Sequence, residues 1–214
     1  MKLPLIIIGG GGHATVVADA LLAAGEQVLG ITDADPTKQG TLVCGVPVLG
    51  DDRVLDEHSP ATLRLVNGIG GIGSMLARMS VQHRLQQSGW RFTSVRHPTA
   101  IVSPFARLSD GVHLLAASVL QAGSVIGEGC IVNTAAVIEH DVELGAWTHI
   151  APRALICGTV VVGARCHVGA GAVVRQGLRL GDDTVIGAGA VVVKDFSGNG
   201  VLVGVPARTM ERRP

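Results

Sequence analysis

A six-residue period in the second half of the chain constrains its fold more than any other feature. Counting in sixes from Val102 to Val192, all sixteen positions hold Val, Ile or Leu, without an insertion. The residue four places after each aliphatic is usually small, as in Ser118, Cys130 and Ala154. A period of six fits neither an α-helix nor a simple hairpin. It predicts short strands joined by tight corners, with one aliphatic side chain per strand pointing inward.

The first 96 residues follow a different pattern, in which aliphatic runs alternate with segments of helical spacing. The predicted elements are strands at Leu3–Ile8, Val28–Thr32, Leu63–Val66 and Arg91–Val95, and helices at Ala14–Ala24 and up to about Ser88. The order β-α-β-β-α-β predicts a small Rossmann-like α/β domain over residues 1–96. The all-β repeat domain follows over residues 97–214.

Composition argues against several classes of function. The 17 basic and 17 acidic side chains give a net charge of +0, so no long-range attraction draws the protein to nucleic acid. Aromatic residues make up 2% of the chain, which argues against a base-stacking surface. No apolar run approaches the ~20 residues of a membrane span. The four cysteines form no CxxC pair, so we expect no metal and a cytoplasmic protein with free thiols.

The four glycines before the first predicted helix form a candidate phosphate site. Backbone N–H groups and the positive end of a helix dipole suit a diphosphate. The full GxGxxG motif is absent, because Thr15 occupies the third glycine position when the motif is read from Gly10. The domain is also short for a dinucleotide, so a mononucleotide diphosphate fits better. Asp33 and Asp35 follow the second strand, where acidic residues often accept from ribose or base groups. A tight turn without a ligand is the alternative.

One histidine has the surroundings of a catalytic base. Acetyl transfer to an amine or a hydroxyl requires removal of a proton, which imidazole can accept at neutral pH. His140 lies between Glu139 and Asp141 in an otherwise apolar, glycine-rich segment, and a carboxylate can stabilise the imidazolium. His149 and His167 are three hexads apart, so we expect them to stack about 5 Å apart on adjacent coils. Neither neighbour at this spacing offers a third metal ligand.

Together these motifs resemble the hexapeptide-repeat nucleotide-sugar N-acetyltransferases. The resemblance rests on Gly12-His13, Asn133-Thr134, Ile138-Glu139-His140, His149 and Val203–Arg208. The family includes enzymes that acetylate UDP-linked 4-amino sugars for bacillosamine and enzymes that make GDP-N-acetylperosamine, with sialic-acid O-acetyltransferases as relatives. The resemblance implies a left-handed parallel β-helix and a homotrimer with active sites between subunits. It also implies acetyl-CoA-dependent N-acetylation of a nucleotide-linked 4-amino-4,6-dideoxy sugar in surface-glycan biosynthesis.

The resemblance further implies roles for individual residues. His140 would be the general base, supported by Asp141. Acetyl-CoA would contact His149, Gly158, Ala170 and Ala188, with its arm ending near Gly204–Arg208. The nucleotide sugar would contact Gly11, Gly12, His13, Asp33, Asp35, Gly70 and Asn133. Both GDP and UDP fit this pattern, and Asp141 favours GDP slightly.

Two alternatives remain open at this point. An O-acetyltransferase acting on sialic acid or another hydroxyl acceptor would use the same chemistry at His140, although a free amino-acid acceptor would need no diphosphate loop. A non-catalytic β-helix that only binds or spaces other molecules would not turn over acetyl-CoA, and changing His140 would have no effect.

Overall fold

The computed structural model describes residues 2–72 and 74–210, so the two ends of the predicted domains, Met1 and residues 211–214, lie outside the described residues. The described residues form two compact units. The N-terminal unit contains residues 2–71 and 76–98, and the C-terminal unit contains residues 99–210 together with 72, 74 and 75. Within the described ranges, no helix is long and apolar enough to cross a membrane.

The N-terminal unit contains an α/β sheet with two α-helices and two short 3-10 helices, Pro36–Lys38 and Asp52–Glu57. Its strands are β1 (Leu5–Ile8), β2 (Val28–Thr32), β3 (Leu42–Val43), β4 (Val46–Gly50), β5 (Arg64–Asn67) and the short β6 (Val95–Arg96), and its α-helices are α1 (Gly12–Ala23) and α2 (Leu76–Gln87). The sheet order is β3-β4-β2-β1-β5, with β1 parallel to both β2 and β5. All four residues of β1 are buried, which explains their continuous aliphatic run.

The predicted order of elements in this unit is wrong in two places. The β3–β4 hairpin was not predicted, although its turn residues Cys44 and Gly45 both have positive φ, as a two-residue hairpin requires. The predicted strand Arg91–Val95 is reduced to a bridge between Phe92 and Leu65, followed by β6. Short strands depend on cross-strand partners far away in sequence, and local pattern does not identify these.

The C-terminal unit confirms the predicted period. Sixteen short strands each end at the predicted aliphatic residue: β7 (Ile101–Val102), β8 (Arg107–Leu108), β9 (His113–Leu114), β10 (Val119–Leu120), β11 (Val125–Ile126), β12 (Ile131–Val132), β13 (Val137–Ile138), β14 (Glu143–Leu144), β15 (His149–Ile150), β16 (Leu155–Ile156), β17 (Val161–Val162), β18 (His167–Val168), β19 (Val173–Val174), β20 (Arg179–Leu180), β21 (Thr184–Ile186) and β22 (Val191–Val192). Two further strands, β23 (Gly200–Val203) and β24 (Arg208–Thr209), complete the unit.

Each of the sixteen strands β7–β22 pairs in parallel with the strand three hexads away, for example Val119 with Val137. The strands therefore form the three faces of a prism, and the fold is a left-handed parallel β-helix as predicted. Its interior is a continuous column of buried aliphatic and small residues. Because each coil packs only on its neighbours, the position of a residue follows from its number.

The corners of the prism recur at the third residue after each inward aliphatic. From Gly111 to Gly189, φ is positive at every one of these positions, both in glycines such as Gly123 and in other residues such as Asp141 and Thr159. The left-handed conformation costs a non-glycine residue roughly 1–2 kcal/mol. The period therefore sets the backbone conformation of Asp141 as well as its position.

Candidate active site

His140 and Asp141 form a hydrogen-bonded pair at one corner of the prism. Nδ1 of His140 lies 3.0 Å from Oδ2 of Asp141, and the two side chains are 53% and 63% exposed. Alternation along a strand would send neighbouring side chains to opposite faces. Asp141 is instead a corner residue with φ of 57°, which allows the contact. Since the carboxylate accepts from Nδ1, Nε2 of a neutral His140 carries the lone pair that can accept a proton.

Two glycines on adjacent coils make room for this pair. A Cβ on Gly158 would lie 2.6 Å from Cε1 and 2.9 Å from Cδ2 of the His140 ring. A Cβ on Gly123 would overlap the carboxylate of Asp141, 3.2 Å from its Cγ. Gly158, predicted to contact acetyl-CoA, is thus buried directly against the His140 ring. Gly123 was not predicted, although it lies one coil before Asp141 and the period could have identified it.

Asn133 and His149 form a second hydrogen-bonded pair, on another edge of the prism. The backbone N–H of Thr134 donates to Oδ1 of Asn133 over 2.8 Å, which identifies Oδ1 as the acceptor of that amide. Nδ2 of Asn133 therefore donates to Nε2 of His149, 3.1 Å away. Nε2 is then the unprotonated nitrogen, and neutral His149 carries its proton on Nδ1. Among the predicted acetyl-CoA residues, Ala170 and Ala188 are exposed on this same edge.

His149 and His167 stack on adjacent coils, as predicted. They are paired in register, and their ring centroids are 5.0 Å apart at an interplanar angle of 80°. The residues before and after them in the same column are Ile131 and Val185. No group of three or more His, Cys, Asp or Glu side chains within the described ranges could hold a metal ion. Burial lowers the pKa of His167, so this imidazole is neutral at physiological pH.

The glycine loop of the N-terminal unit leads directly into α1. Gly11 caps the helix and Gly12 is its first residue. A Cβ on either glycine would meet no described atom within 4 Å, so both backbones are open to a ligand. A Cβ on Gly70 would lie 3.0 Å from Cβ of His13. The structure thus brings together four of the predicted substrate residues.

Asp33 and Asp35 are engaged within the chain itself. Oδ2 of Asp33 accepts from the backbone N–H of Gly10 (2.7 Å) and from Nζ of Lys38 (2.8 Å), and Oδ1 accepts from the N–H of Asp35 (2.9 Å). Burial acts to raise the pKa of Asp33, but these hydrogen bonds outweigh it and hold the pKa below its usual range. Asp35 in turn accepts from the N–H of Thr37. Asp33 therefore tethers the glycine loop. The role of Lys38 was not predicted, because no sequence motif includes it.

A cleft of about 360 Å³ is lined by Asp33 and Ala34, which follow β2, and by the end of β4. Its lining includes Gln39, Leu49, Arg53 and Glu57. The carboxyl ends of parallel strands are the usual ligand-binding side of an open α/β sheet. The cleft was not predicted, because the sequence pattern indicates no strand or helix between Thr32 and Leu63, the segment that forms it.

Comparisons with known proteins match both units. Residues 4–85 match the family model of the PglD N-terminal domain, and residues 159–194 match that of the bacterial transferase hexapeptide (six repeats). Perosamine N-acetyltransferase from Caulobacter crescentus, solved as a histidine-to-asparagine mutant in complex with CoA and GDP-perosamine, is 41% identical over 99% of each chain, with a TM-score of 0.90. The acetyltransferase domain of PglB from Neisseria gonorrhoeae is 35% identical over 98% of this chain and 100% of that chain, with a TM-score of 0.89.

The fold and these matches define the class of the protein as an acetyltransferase built on hexapeptide repeats. Within that class, the chain belongs to the family of nucleotide-sugar N-acetyltransferases that includes perosamine N-acetyltransferase and the acetyltransferase domain of PglB. The resemblance found in the sequence is thereby confirmed.

Proposed function

We propose that this acetyltransferase transfers the acetyl group of acetyl-CoA to the 4-amino group of a nucleotide-linked 4-amino-4,6-dideoxy sugar, with GDP-perosamine as the first candidate. The observation that carries the proposal is the His140–Asp141 pair at an exposed corner. It occurs in a chain that is 41% identical, over 99% of its length, to an enzyme crystallised with CoA and GDP-perosamine.

His140 acts as the general base in this proposal. The sugar amine attacks the thioester carbonyl carbon, and Nε2 of His140 takes the amine proton as the C–N bond forms. Asp141 holds the ring through Nδ1 and stabilises the imidazolium. When the tetrahedral intermediate collapses, the C–S bond breaks and the CoA sulfur receives the proton from His140. Cys130 and Cys166 are buried, and burial raises the pKa of the Cys166 thiol, which argues against an acyl intermediate on either of these two thiols.

The edge that carries Asn133 and His149 is proposed to hold the acetyl group. Because Nε2 of His149 accepts from Asn133, any hydrogen bond that neutral His149 gives to the oxyanion comes from Nδ1. Asn133 then helps to orient the acceptor. Ala170 and Ala188, with Gly158 at the other edge, remain the proposed backbone contacts for CoA.

The N-terminal unit is proposed to bind the nucleotide diphosphate. Gly11, Gly12 and His13 would present N–H groups and the helix dipole to the phosphates, beside Gly70. The nucleoside would occupy the cleft beyond Asp33, whose lining includes the carboxylate of Glu57. A carboxylate can accept from both the N1–H and the exocyclic N2–H₂ donors of guanine, whereas uracil has a single N–H donor. This chemistry supports GDP.

We also propose that the protein is a homotrimer with its sites between subunits. The supporting observation is that the His140–Asp141 pair and the Asn133–His149 pair lie on different edges of one prism, so a neighbouring copy can bring the two edges together. The proposed cytoplasmic location follows from the reactants, since acetyl-CoA is made there. Light scattering after gel filtration should give three times the 21.9 kDa of one chain.

Thermal unfolding with nucleotides and turnover with the amino sugar test the proposal together. GDP should raise the Tm more than UDP, CDP or dTDP at equal concentration, because a ligand stabilises the state that it binds. GMP, which lacks the second phosphate, is the matched control and should shift the Tm less. Acetyl-CoA with GDP-perosamine should release CoA thiol. No shift with any nucleotide, or release only with sialic acid as acceptor, would contradict the proposal.

A further inference from the structure

Arg78 is the largest fully buried side chain among the residues that the structure describes, with 0% of its surface exposed. It lies in α2 of the N-terminal unit. Removing a guanidinium from water costs several kcal/mol unless hydrogen bonds replace those to solvent. None of the proposed chemistry uses Arg78, so its burial needs another explanation.

The guanidinium of Arg78 holds the segment that follows β5. Its Nη1 donates to the backbone carbonyls of Asn67 and Ile69, both over 2.8 Å. The bonds also run in the opposite direction, because Nδ2 of Asn67 donates to the carbonyl of Arg78 (3.0 Å) and to Oε1 of Gln82 (3.1 Å). Oδ1 of Asn67 accepts from the N–H of Ile69 (3.1 Å). This irregular segment therefore takes its backbone hydrogen bonds from α2, from the side chain of Asn67 and, through the N–H of Gly68, from the carbonyl of Ile8.

The same segment packs tightly against the glycine loop. A Cβ on Gly68 would overlap the carbonyl oxygen of Gly9 and lie 3.0 Å from Cβ of Ala14 in α1, and a Cβ on Gly9 would lie 2.6 Å from Cγ1 of Ile69. Further along, Gly70 approaches His13. A shift of this segment would therefore be transmitted directly to the start of α1, where the diphosphate is proposed to bind.

We propose that Arg78 is a positioning residue for the nucleotide diphosphate. By bonding to the carbonyls of Asn67 and Ile69, it turns two partial negative charges into the protein and away from the phosphates. It also fixes Gly70 beside His13. An anion site built from backbone N–H groups requires that neighbouring carbonyl oxygens point elsewhere. This inference rests on the proposed function, since it assumes that the diphosphate lies at the glycine loop.

The proposal is tested by steady-state kinetics of Arg78→Met and Arg78→Lys with GDP-perosamine and acetyl-CoA. Loss of the guanidinium in Arg78→Met should raise the KM for GDP-perosamine about tenfold, with kcat and the KM for acetyl-CoA changed less than about twofold. Arg78→Lys should recover part of the loss, because an ammonium also donates to two carbonyls. Arg84→Met is the matched control on the same helix. Arg84 is exposed and pairs with Asp52, so its loss should leave both KM values unchanged.

If Arg78→Met does not fold, Gln82→Met tests the same hydrogen-bond network. Methionine has a similar side-chain volume but lacks Oε1 of Gln82, which accepts from Nδ2 of Asn67. The substitution should raise the KM for GDP-perosamine by about two- to threefold. An unchanged KM for GDP-perosamine in folded variants, or an equal rise in both KM values, would overturn the role of Arg78. Failure of the proposed function has a different signature, because the wild-type protein would then neither acetylate GDP-perosamine nor be stabilised by GDP.

Discussion

The two units differ in how their sequences determine their sites. In the C-terminal unit, contacts follow from residue numbers, so the stacking of His149 on His167 and the position of Gly158 against His140 both follow from a spacing of 18 residues. In the N-terminal unit, Lys38 contacts Asp33 and Arg78 contacts Asn67, and no repeating spacing in the sequence predicts either contact. A repeat lets a sequence predict a site in detail, whereas an α/β sheet allows only its elements to be predicted.

The difference extends to function in the proposed account. The C-terminal unit carries the reacting groups, so damage there should lower kcat. The N-terminal unit carries the nucleotide, so damage there should raise one KM and leave kcat and the other KM unchanged. The following variants test this division, from the largest expected effect to the smallest.

The largest effect is expected from Gly158→Ala. The added methyl group would collide with the His140 ring and displace the proposed base, so kcat should fall about a hundredfold while the prism remains folded. Gly177→Ala is the matched control, because only Oγ1 of Thr159, at 3.8 Å, is near the added atom. Its positive φ should cost roughly 1 kcal/mol of stability without changing kcat. Equal kcat values in Gly158→Ala and Gly177→Ala would show that catalysis does not depend on the position of the His140 ring.

Asp141→Asn should lower kcat about tenfold. The amide can still contact Nδ1 of His140, but it carries no charge to stabilise the imidazolium. The KM for GDP-perosamine should not change, since Asp141 lies outside the N-terminal unit. Kinetics with both substrates varied would check this, and a rise in that KM alone would break the division between the units.

Gly12→Ala should change the KM for GDP-perosamine rather than kcat. A Cβ at this position meets no described atom within 4 Å, and the residue begins α1, so the Tm should stay equal or rise slightly. The methyl group would narrow the approach of the diphosphate to the helix N-terminus. The KM for GDP-perosamine should therefore rise about fivefold at constant kcat. A wild-type KM together with wild-type kcat would remove the glycine loop from nucleotide binding.

The smallest expected effect is the pH dependence of stability that comes from His167. Burial lowers the pKa of His167 in the folded protein, so below the usual histidine pKa of about 6.5 the unfolded chain binds a proton more readily than the folded one. Stability is therefore lost as the pH falls through that value. The decrease in Tm between about pH 7.5 and 5.5 should be about 2 °C smaller in His167→Gln than in the wild type. If Tm decreased equally with pH in His167→Gln and in the wild type, His167 would not contribute to the pH dependence of stability.

What the sequence predicts also differs between the two units. The sixteen aliphatic positions, the corner that holds His140 and the stacked histidines could all be derived from one period. The contact between His140 and Asp141 could not, because the period indicates a corner at Asp141 but not which side chains meet there. In the N-terminal unit, the β3–β4 hairpin and the buried Arg78 could not be derived, because both depend on tertiary partners.

The most direct test of the account is the turnover of His140→Asn with acetyl-CoA and GDP-perosamine, measured beside its stabilisation by GDP. If the C-terminal unit carries the base and the N-terminal unit the nucleotide, kcat should fall at least about a hundredfold while the Tm shift with GDP stays at the wild-type value. Wild-type turnover, or loss of the GDP shift together with turnover, would contradict the central claim that chemistry and nucleotide binding reside in separate units.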